Sequence, residues 1–498
     1  MSRPINLYML SRIQDEDLFK MYLYHETYKS NINDNKIQIR DREIQSLRIL
    51  VDILMGNGID IEGLDNFYYN FEIPQIGKEF DLLKISENIV LNIELKSEDV
   101  ADEKIEKQLK KNMHYLKHFS KEIKVFCLET KNRICYTLRD SKLYKTAIQE
   151  IVDCIKNMGK SENGDIEEHF RVSDYLVSPL NTPQKFIDGD YFLTLQQEEC
   201  KKDILNKLEE NGGGFFYITG KPGTGKTLLL YDIAKELAKK APTLVIHCGI
   251  CSGNQLYLNG KIENFDVVDI KNAQLNFFKY KFIFIDESHR LYLNQFDIIC
   301  KIILRSGSKY CFFSGDPGQM LSKSEIGRDI IGKISKLPLL GNYNITNRIR
   351  TNEEIATFIK YVLNLNQKPI KKILFPNISV AFAKNVIEAN IIIKHYQSLG
   401  YYFINYTKSN YKNGSFDKYF GNDNTHRVIG QEFDKVIMVM NYTFFYDDNK
   451  RLVATEHPNP DYLYGRLFYQ GATRVREKFA LVIVGDVDLF DKITAIFR

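Results

Sequence analysis

Three apolar runs in the middle of the chain each lead into a polar or glycine-rich segment. FFYIT is followed by GKPGTGKT, residues 220–227, and then by the helix-like stretch LLLYDIAKEL. KFIFIDESHR, residues 281–290, is a β-rich run that reaches two carboxylates, and YCFFSGDPGQ repeats the plan. Such runs are typical of buried parallel strands, whose carboxyl ends meet at one edge of a sheet. The pattern predicts an α/β fold with its chemistry at that edge.

The segment GKPGTGKT has the spacing of a phosphate-binding loop between a strand and a helix. Backbone N–H groups of such a loop point at phosphates, Lys226 adds a full charge, and Thr227 can hold Mg²⁺. We therefore expect a nucleoside triphosphate to bind here; the alternative is a glycine turn without a ligand. The expected contact positions are Gly220, Pro222, Gly223, Thr224, Gly225, Lys226 and Thr227.

The other two runs supply polar groups at the same predicted edge. Asp286 would complete the Mg²⁺ shell, and Glu287 would orient the attacking water. Gln319, after the third run, could sense the γ-phosphate. The alternative is a strand end that carries only solvated acids.

With these blocks in order, the region from about Leu193 to the C-terminus resembles the superfamily 1 helicases, especially the RecD-like and Schlafen-like group. The resemblance implies that Gln197, in LTLQQ, reads adenine, which favours ATP over GTP. It also implies an arginine finger in ITNRIRT, at Arg350 rather than Arg348, and a second finger at Arg474 in ATRVREKFALVIVG. Two lobes with parallel sheets would then close on ATP, since fixed cations stabilise the charge of the transferring phosphoryl group. A surface or salt-bridge role is the alternative for either arginine.

The segment THRVIGQEFDKV resembles the helicase motif that joins DNA contact to the nucleotide. Ile429 departs from the glutamine usual before the glycine of this motif. The resemblance implies that Gly430 and Glu432 belong to the nucleotide site. The matching positions are Thr425, His426, Gly430 and Glu432.

The N-terminal third carries a different pattern, KEFDLLKISENIVLNIELKS, residues 78–97. It predicts a β-hairpin that turns near residues 86–88. In NIELK the apolar residues alternate with Glu94 and Lys96, so the period of two puts the acid and the lysine on one face. Folding the hairpin brings Asp81 opposite residues 92–94. Two carboxylates that can hold a hard divalent cation, and an ammonium that can position or activate water, would then converge.

This hairpin resembles that of the PD-(D/E)XK nucleases. The resemblance implies that Asp81 and Glu94 bind Mg²⁺ or Mn²⁺, and that Lys96 is the catalytic lysine. It offers Glu43, on the preceding predicted helix, as an additional metal-binding acid. Glu79 shares a face with Asp81 and is an alternative metal ligand.

One residue near the hairpin supports this resemblance and another weakens it. Gln108, on the next predicted helix, sits where related nucleases place a glutamine near the lysine. Pro74 precedes Asp81 by several residues instead of standing next to it. A solvated hairpin face with no catalytic role remains the alternative.

Length and composition fit two separate centres on one chain. The 498 residues are too many for one core, and no apolar stretch is long enough to cross a membrane. The N-terminus lacks a long apolar signal core, so we expect a cytoplasmic protein. The eight cysteines show no disulfide-like order, and the CxxC pair at Cys248 and Cys251 has no second pair to complete a zinc site. The net charge of +4 does not by itself indicate nucleic-acid binding.

We predict a nuclease-like domain at residues 1–157, a linker at 158–192, a RecA-like lobe with the ATP site at 193–342, and a second RecA-like lobe at 343–498. The predicted function is ATP-dependent movement along DNA, coupled to metal-dependent DNA cleavage. The DNA would be single-stranded or carry a single-stranded end, and RNA is possible. The resemblance to bacterial antiphage nuclease-helicase proteins implies a defence role. The alternative is an ATP-gated sensor or a remodelling ATPase, with a silent or RNA-directed nuclease site.

Overall fold

The structure is a computed structural model that divides into two compact units, Met1–Tyr175 and Leu176–Arg498. No helix among the described residues is long and apolar enough to span a bilayer. The described residues are 3–27, 41–73, 78–162, 166–170, 175, 177–249, 257–270, 277–346, 353–367, 374–408, 414–419, 423–455 and 461–497.

The N-terminal unit is built on one mixed sheet, which has six strands among the described residues. Its strands follow chain order across the sheet, and the parallel pair β3–β4 is connected by helix α4. Its strands are β1 (Tyr68–Ile73), β2 (Lys78–Ile85), β3 (Ile89–Lys96), β4 (Glu122–Glu129), β5 (Ile134–Arg139) and β6 (Lys142–Thr146). Its helices are α1 (Leu7–Ser11), α2 (Glu16–Thr27), α3 (Asp41–Gly56), α4 (Asp102–Leu116), α5 (Gln149–Lys156) and α6 (Ile166–His169).

The predicted hairpin is confirmed as β2 and β3, which pair in antiparallel register. Its turn is closed by Ser86, whose main-chain N–H donates to the Ile89 carbonyl at 2.9 Å. Helix α3 packs an apolar face of Leu47, Leu50 and Leu54 into the core that also contains residues of both hairpin strands. The packing against α3 fixes which hairpin side chains face the core.

The C-terminal unit contains two parallel sheets in succession, the arrangement of two RecA-like lobes. The first lobe has sheet order β12-β7-β11-β10-β8-β9, with strands β7 (Gly214–Gly220), β8 (Thr243–His247), β9 (Phe265–Asp269), β10 (Phe282–Asp286), β11 (Tyr310–Gly315) and β12 (Leu339–Ile345). Its helices are α7 (Pro183–Asp188), α8 (Leu195–Glu210), α9 (Lys226–Ala238), α10 (Leu293–Ser306), α11 (Lys323–Arg328) and α12 (Ile330–Ser335). Short 3₁₀ turns cover Phe277–Lys279, Ser288–Arg290 and Pro317–Gln319.

The second lobe has sheet order β13-β19-β16-β14-β15, and a separate hairpin pairs β17 with β18. Its strands are β13 (Ile378–Ala383), β14 (Tyr402–Asn405), β15 (Asp423–Asn424), β16 (Phe433–Asn441), β17 (Phe444–Tyr446), β18 (Leu452–Ala454) and β19 (Val475–Val484). Its helices are α13 (Glu353–Leu363), α14 (Val386–Ser398), α15 (Tyr464–Ala472) and α16 (Val487–Thr494), followed by a 3₁₀ turn at Ala495–Phe497.

The first-lobe sheet is apolar on both faces, as predicted for buried parallel strands. Phe216, Phe312 and Phe284 stack on one face, with ring centroids 4.9 Å apart for the first pair and 4.2 Å for the second. Phe215 and Phe313 stack on the other face. These layers hold the three central strands in register, so that their polar ends lie side by side.

A short segment of the first lobe is anchored in the second. Leu321 is fully buried in the apolar core of the second lobe, and its carbonyl accepts the N–H of Leu463 at 2.9 Å. Three residues after Leu321, the Ser324 N–H donates to Asp461 Oδ1 at 2.8 Å. This contact ties the segment after Gln319 to the segment that leads into α15.

The observed unit boundaries differ from the predicted ones. Strand β12 carries Tyr343 into register with Ile218, so the first-lobe sheet continues beyond residue 342. The stretch 158–192 is not one free linker: Phe170 packs on the N-terminal unit, whereas Phe186 belongs to the first-lobe core. The polar composition of the stretch concealed these two apolar anchors.

We expect Phe170→Ala to loosen the N-terminal unit. The Phe170 ring lies 5.1 Å from the Phe71 ring and 6.0 Å from the Phe80 ring, centroid to centroid. Deleting a buried phenylalanine typically costs about 3–5 kcal/mol. Hydrogen–deuterium exchange of peptides from β1 and β2 should therefore speed up, while Phe278→Ala, at a side chain that is 76% exposed, should change nothing there. Unchanged exchange in the Phe170→Ala chain would contradict the anchoring role.

Candidate active sites

The predicted phosphate loop connects β7 to α9, as the sequence pattern requires. Gly223 and Gly225 have φ angles of 80° and 78°, a left-handed conformation that favours glycine. Lys226 Nζ donates to the carbonyls of Gly220 at 2.7 Å and Lys221 at 3.1 Å. The ammonium therefore already lies over the loop, where phosphate oxygens would exchange with these carbonyls.

Thr227 and Asp286 meet at the start of α9. Thr227 Oγ1 donates to Asp286 Oδ2 at 3.1 Å, and both side chains are buried. A hydroxyl and a carboxylate are oxygen ligands of the kind that Mg²⁺ prefers, so this pair fits the ion. His247, which the sequence reasoning missed, ends β8 in register with Asp286, and its Nδ1 lies 3.5 Å from Asp286 Oδ2. The polar residue at the end of the apolar strand β8 could have indicated His247 from the sequence.

Glu287 has a φ of 56°, and its carboxylate lies 3.6 Å from His289 Nε2. Burial alone would raise the pKa of the Glu287 carboxyl. The surrounding basic side chains reverse that effect and hold the pKa below its usual value; they are His289 when it is protonated, and the charged Arg290, Lys226 and Arg474. Burial also lowers the pKa of His289, to about 3, so its imidazole is neutral near pH 7. An ionised Glu287 in this setting is suited to orienting water.

Arg474 extends from the second lobe towards the phosphate loop. Its side chain is 3% exposed, and Nη2 donates to Gln319 Oε1 at 3.3 Å. Gln319 Nε2 in turn donates to Asp316 Oδ2 at 3.1 Å. Two residues singled out in the sequence are thus in direct contact across the lobes. Arg350 and Arg348 lie outside the described residues.

Gln197 uses its side-chain amide inside the fold. Its Oε1 accepts the Thr194 N–H at 3.0 Å, which caps α8, and its Nε2 donates to the carbonyls of Thr224 at 3.1 Å and Gly225 at 3.4 Å. Gln197 therefore holds the phosphate loop in place. Adenine reading by this residue stays a prediction.

Gly430 and Glu432 lie on the loop that leads into β16. Gly430 has a φ of 76°, and a Cβ there would lie 3.3 Å from His247 Cε1, beside the Asp286 strand end. Glu432 Oε2 accepts from Arg476 Nε at 3.1 Å. The structure gives Glu432 a cationic neighbour within its own lobe, and nucleotide contact by either residue stays a prediction.

Thr425 and His426 share one hydroxyl partner. Thr407 Oγ1 lies 2.9 Å from Thr425 Oγ1 and 2.6 Å from His426 Nδ1. His426 also lines a cavity of about 1050 Å³ to which the first lobe contributes Arg290 and the second Arg427. This interlobe cavity opens next to the motif that the resemblance links to DNA contact.

In the N-terminal unit, β2 and β3 pair from Ile85↔Val90 to Leu82↔Ile93, and Asp81 is the next residue on β2. Asp81 Oδ2 accepts the Leu95 N–H at 2.7 Å, which fixes the carboxylate beside β3. Burial raises the pKa of Asp81 to about 7, and the charge of Glu94 adds to the shift. The predicted proximity of Asp81 to residues 92–94 is confirmed.

Glu94 is held by three side-chain amides. Its Oε1 accepts from Asn112 Nδ2 at 2.7 Å and from Asn92 Nδ2 at 3.3 Å, and its Oε2 accepts from Gln108 Nε2. Gln108 thus contacts the acid. The sequence reasoning missed Asn92 and Asn112, although Asn112 follows Gln108 at the four-residue spacing that places both on one helix face.

A cavity of about 340 Å³ opens beside Asp81. Glu43, Glu79 and Lys96 line it together with Asp81, so the additional acid and the alternative to Asp81 border the same space as the lysine. Glu94 is not among the described residues that line it. Within the described parts of the chain, no three His, Cys, Asp or Glu side chains converge closely enough to hold a metal ion. The oxygen donors suit Mg²⁺ or Mn²⁺, with water or phosphate completing the shell.

Comparison with known proteins bears on the C-terminal unit. Residues 216–298 match the family model described as ATPase family associated with various cellular activities (AAA). This region is a P-loop ATPase core. It contains the phosphate loop, Asp286 and Glu287. No curated protein sequence matches the chain.

Two solved structures show a distant likeness to this ATPase. One, described as the structural basis for DNA unwinding at forked dsDNA by two coordinating Pif1 helicases, is 14% identical, covers 60% of this chain and 94% of that chain, and has a TM-score of 0.31. The other is the flagellar accessory protein FlaH from Methanocaldococcus jannaschii, 13% identical, covering 27% of this chain and 72% of that chain, with a TM-score of 0.20. The assignment of two RecA-like lobes rests on the sheet orders above and not on these overlaps.

We expect Glu287→Gln to slow ATP hydrolysis about 100-fold or more, because loss of a positioned base typically removes at least this factor. The amide keeps the shape of the side chain, so binding of a fluorescent ATP analogue should persist. Phosphate release is the measurement, and Glu263→Gln, at an exposed carboxylate, is the control. Hydrolysis at the parental rate would remove Glu287 from the catalytic role.

We expect Asp81→Asn to stabilise the metal-free protein more at pH 8 than at pH 5. An unfolded aspartate titrates near about 4, whereas Asp81 titrates at about 7. Its contribution to folding is therefore fully present below pH 4 and is lost as the pH rises through 7. Asparagine does not ionise, so the free energy of unfolding of Asp81→Asn does not fall in this way. Its excess over that of the parental chain should grow up to about pH 7 and then level off.

The measurement for Asp81→Asn is thermal unfolding followed by circular dichroism in EDTA. Asp99→Asn, at an exposed aspartate, should give a shift that does not depend on pH. A gain of equal size for Asp81→Asn at every pH would show that ionisation of Asp81 is not its cause.

Proposed function

We propose that this ATPase is a DNA helicase or translocase whose movement is coupled to metal-dependent DNA cleavage by the N-terminal unit. The observation that carries the proposal is the contact of Arg474 with Gln319. A buried cation from one RecA-like lobe beside the nucleotide loop of the other supports a cycle in which hydrolysis changes how the lobes pack.

The residues of the ATP site have separate roles in hydrolysis. Lys226 and Arg474 offer positive charge where negative charge spreads over the phosphoryl oxygens, and Glu287 orients the water. Thr227 and Asp286 would hold Mg²⁺, which when bound neutralises part of the phosphate charge. After loss of the γ-phosphate, Arg474 would keep its hydrogen bond to Gln319.

The interlobe cavity supports nucleic acid as the partner of the motor. Lys408, Arg427 and Arg328 line it among four carboxylates, and such cations pair with a phosphate backbone. The carboxylates are those of Glu325, Asp417, Asp423 and Asp461. Tyr462 and His426 also line it, and their rings lie 4.9 Å apart, centroid to centroid. Aromatic rings beside cations can stack on unpaired bases, so a single strand suits this cavity.

Cleavage would take place at the cavity beside Asp81. Asp81 and Glu94 would hold Mg²⁺ or Mn²⁺, which when bound polarises a phosphate and lowers the pKa of water. Lys96 lines the same cavity, where its ammonium can stabilise the charge that develops on the phosphate. The three amides around Glu94 keep its carboxylate in one orientation.

A second candidate function is an ATP-gated sensor or remodelling ATPase with a silent nuclease site. It is favoured by the lack of a three-ligand cluster among the described residues and by the engagement of both Glu94 oxygens with amides. An RNA-directed site has the same donor set.

The defence role rests on the resemblance to bacterial antiphage nuclease-helicase proteins. It supports a simple trial in which cells that carry the parental chain or Glu287→Gln are challenged with phage. Equal plaque numbers for the parental chain and the empty host would remove that role while leaving the enzymology intact.

We expect Lys96→Ala and Glu287→Gln to separate the two activities. On a labelled forked duplex with ATP and Mg²⁺, Lys96→Ala should keep strand displacement and lose cleavage about 100-fold. Glu287→Gln should lose both, because cleavage depends on movement. Lys104→Ala, at an exposed lysine of α4, is the control.

The same assays of Lys96→Ala and Glu287→Gln distinguish the candidate functions. Cleavage that survives Glu287→Gln unchanged would exclude coupling to the motor. Cleavage that survives Lys96→Ala would exclude the assigned catalytic lysine, and ATP hydrolysis without displacement or cleavage by the parental chain would favour the remodelling ATPase.

A further inference from the structure

His247 is a fully buried histidine at the end of β8, between the ATP site and the interlobe cavity. Its side chain is 0% exposed, and within the described part of the chain neither ring nitrogen has a hydrogen-bond partner. Buried polar groups are nearly always paired, and an unpaired one is costly. An apolar ring would fill the same space without this cost, so packing alone does not account for an imidazole here.

The Nδ1 atom of the imidazole faces the ATP site. It lies 3.5 Å from Asp286 Oδ2, on the carboxylate that is expected to hold Mg²⁺. The main chains of the two residues are fixed to each other, because they stand opposite each other on β8 and β10 and the Cys248 N–H donates to the Asp286 carbonyl at 3.1 Å. A rotation of the Asp286 side chain would therefore alter its contact with the ring while the strands stay in place.

The Cε1–Nε2 edge of the imidazole faces two glycines, one from each lobe. A Cβ on Gly249 would lie 2.6 Å from Nε2, and a Cβ on Gly430 would lie 3.3 Å from Cε1. The ring thus fills the space that a side chain at either position would occupy. Gly249 and Ile429, the residue before Gly430, both line the interlobe cavity. His247 therefore extends from a carboxylate of the ATP site to the wall of the cavity proposed to hold nucleic acid.

We propose that His247 is a positioning residue that couples Asp286 to the loop carrying Gly430, so that nucleotide binding and occupancy of the interlobe cavity by a single strand influence each other. The inference rests on the proposed nucleic-acid motor and assigns its coupling to one side chain. Movement of the ring with Asp286 would displace the second-lobe loop that packs against it. Because coupling between two sites is reciprocal, a strand in the cavity would act on the ATP site through the same contact.

We expect His247→Phe in the full chain to weaken this coupling. Phenylalanine keeps an aromatic ring against the glycines but removes both nitrogens, so the polar contact with Asp286 is lost. The measurement is the dissociation constant of an oligothymidylate with and without a saturating non-hydrolysable ATP analogue and Mg²⁺. In the parental chain the two constants should differ about fivefold or more, as is usual for coupled sites. In His247→Phe their ratio should fall towards one, and His247→Asn, which keeps a polar group near the Nδ1 position, should retain part of it.

A purely structural role of His247 would change both dissociation constants by the same factor and leave their ratio intact, which would overturn the proposal. His395→Phe, at an exposed histidine of α14, is the matched control and should keep the parental ratio. Gly249→Ala approaches the ring from the cavity side and should also lower the ratio, since its Cβ would lie 2.6 Å from Nε2. A parental ratio in both His247→Phe and Gly249→Ala would exclude the imidazole from the coupling.

Hydrogen–deuterium exchange separates this inference from the proposed function. If the parental chain binds no oligothymidylate, the nucleic-acid motor fails, yet coupling of Asp286 to the loop carrying Gly430 can still be measured. Exchange of peptides covering residues 424–436 should change when the saturating ATP analogue is added to the parental chain or to His395→Phe, and should not change in His247→Phe. Equal changes in the parental chain and His247→Phe, or no change in the parental chain, would overturn the proposal.

Discussion

The contact between Arg474 and Gln319 is the interaction on which the C-terminal unit depends. A guanidinium that is 3% exposed must find hydrogen-bond acceptors, because an unpaired buried charge is strongly destabilising. Arg474 meets this need with the Gln319 side chain across the lobes and with the Gln470 carbonyl, 3.2 Å from Nε, within its own lobe. In the proposed cycle a triphosphate would compete for the same cation, so one side chain would link the packing of the lobes to the state of the nucleotide.

In the N-terminal unit the buried groups that need partners are two carboxylates instead of a cation. Asp81 and Glu94 repel each other when both are ionised, which is part of the reason why the pKa of Asp81 is raised to about 7. The fold tolerates the pair because the Leu95 N–H and a set of amides satisfy the carboxylate oxygens. A divalent cation would relieve the repulsion, so the raised pKa of Asp81 and an affinity for a metal ion would have the same origin.

The sequence was most informative where chemistry lies at the end of a strand or on one hairpin. The phosphate loop, the Asp286 partner of Thr227 and the register of Asp81 follow from patterns within a few residues. Contacts between distant segments were harder to foresee. Nothing local marks Gln197 as a ligand of the loop carbonyls, or Phe170 as an anchor inside a polar stretch, because both roles depend on tertiary neighbours. The predicted lobe boundary missed the last residues of β12 for the same reason.

The insertion of Leu321 into the second-lobe core has a mechanical consequence. Complete separation of the lobes would expose this side chain to water, at a cost of about 1.5–3 kcal/mol. Leu321 stands two positions after Gln319, so in the proposed motor this anchor would lie next to the residue expected to sense the γ-phosphate. In that proposed cycle, a rotation of the lobes about this anchor would keep Leu321 buried while the far ends of the lobes move the most.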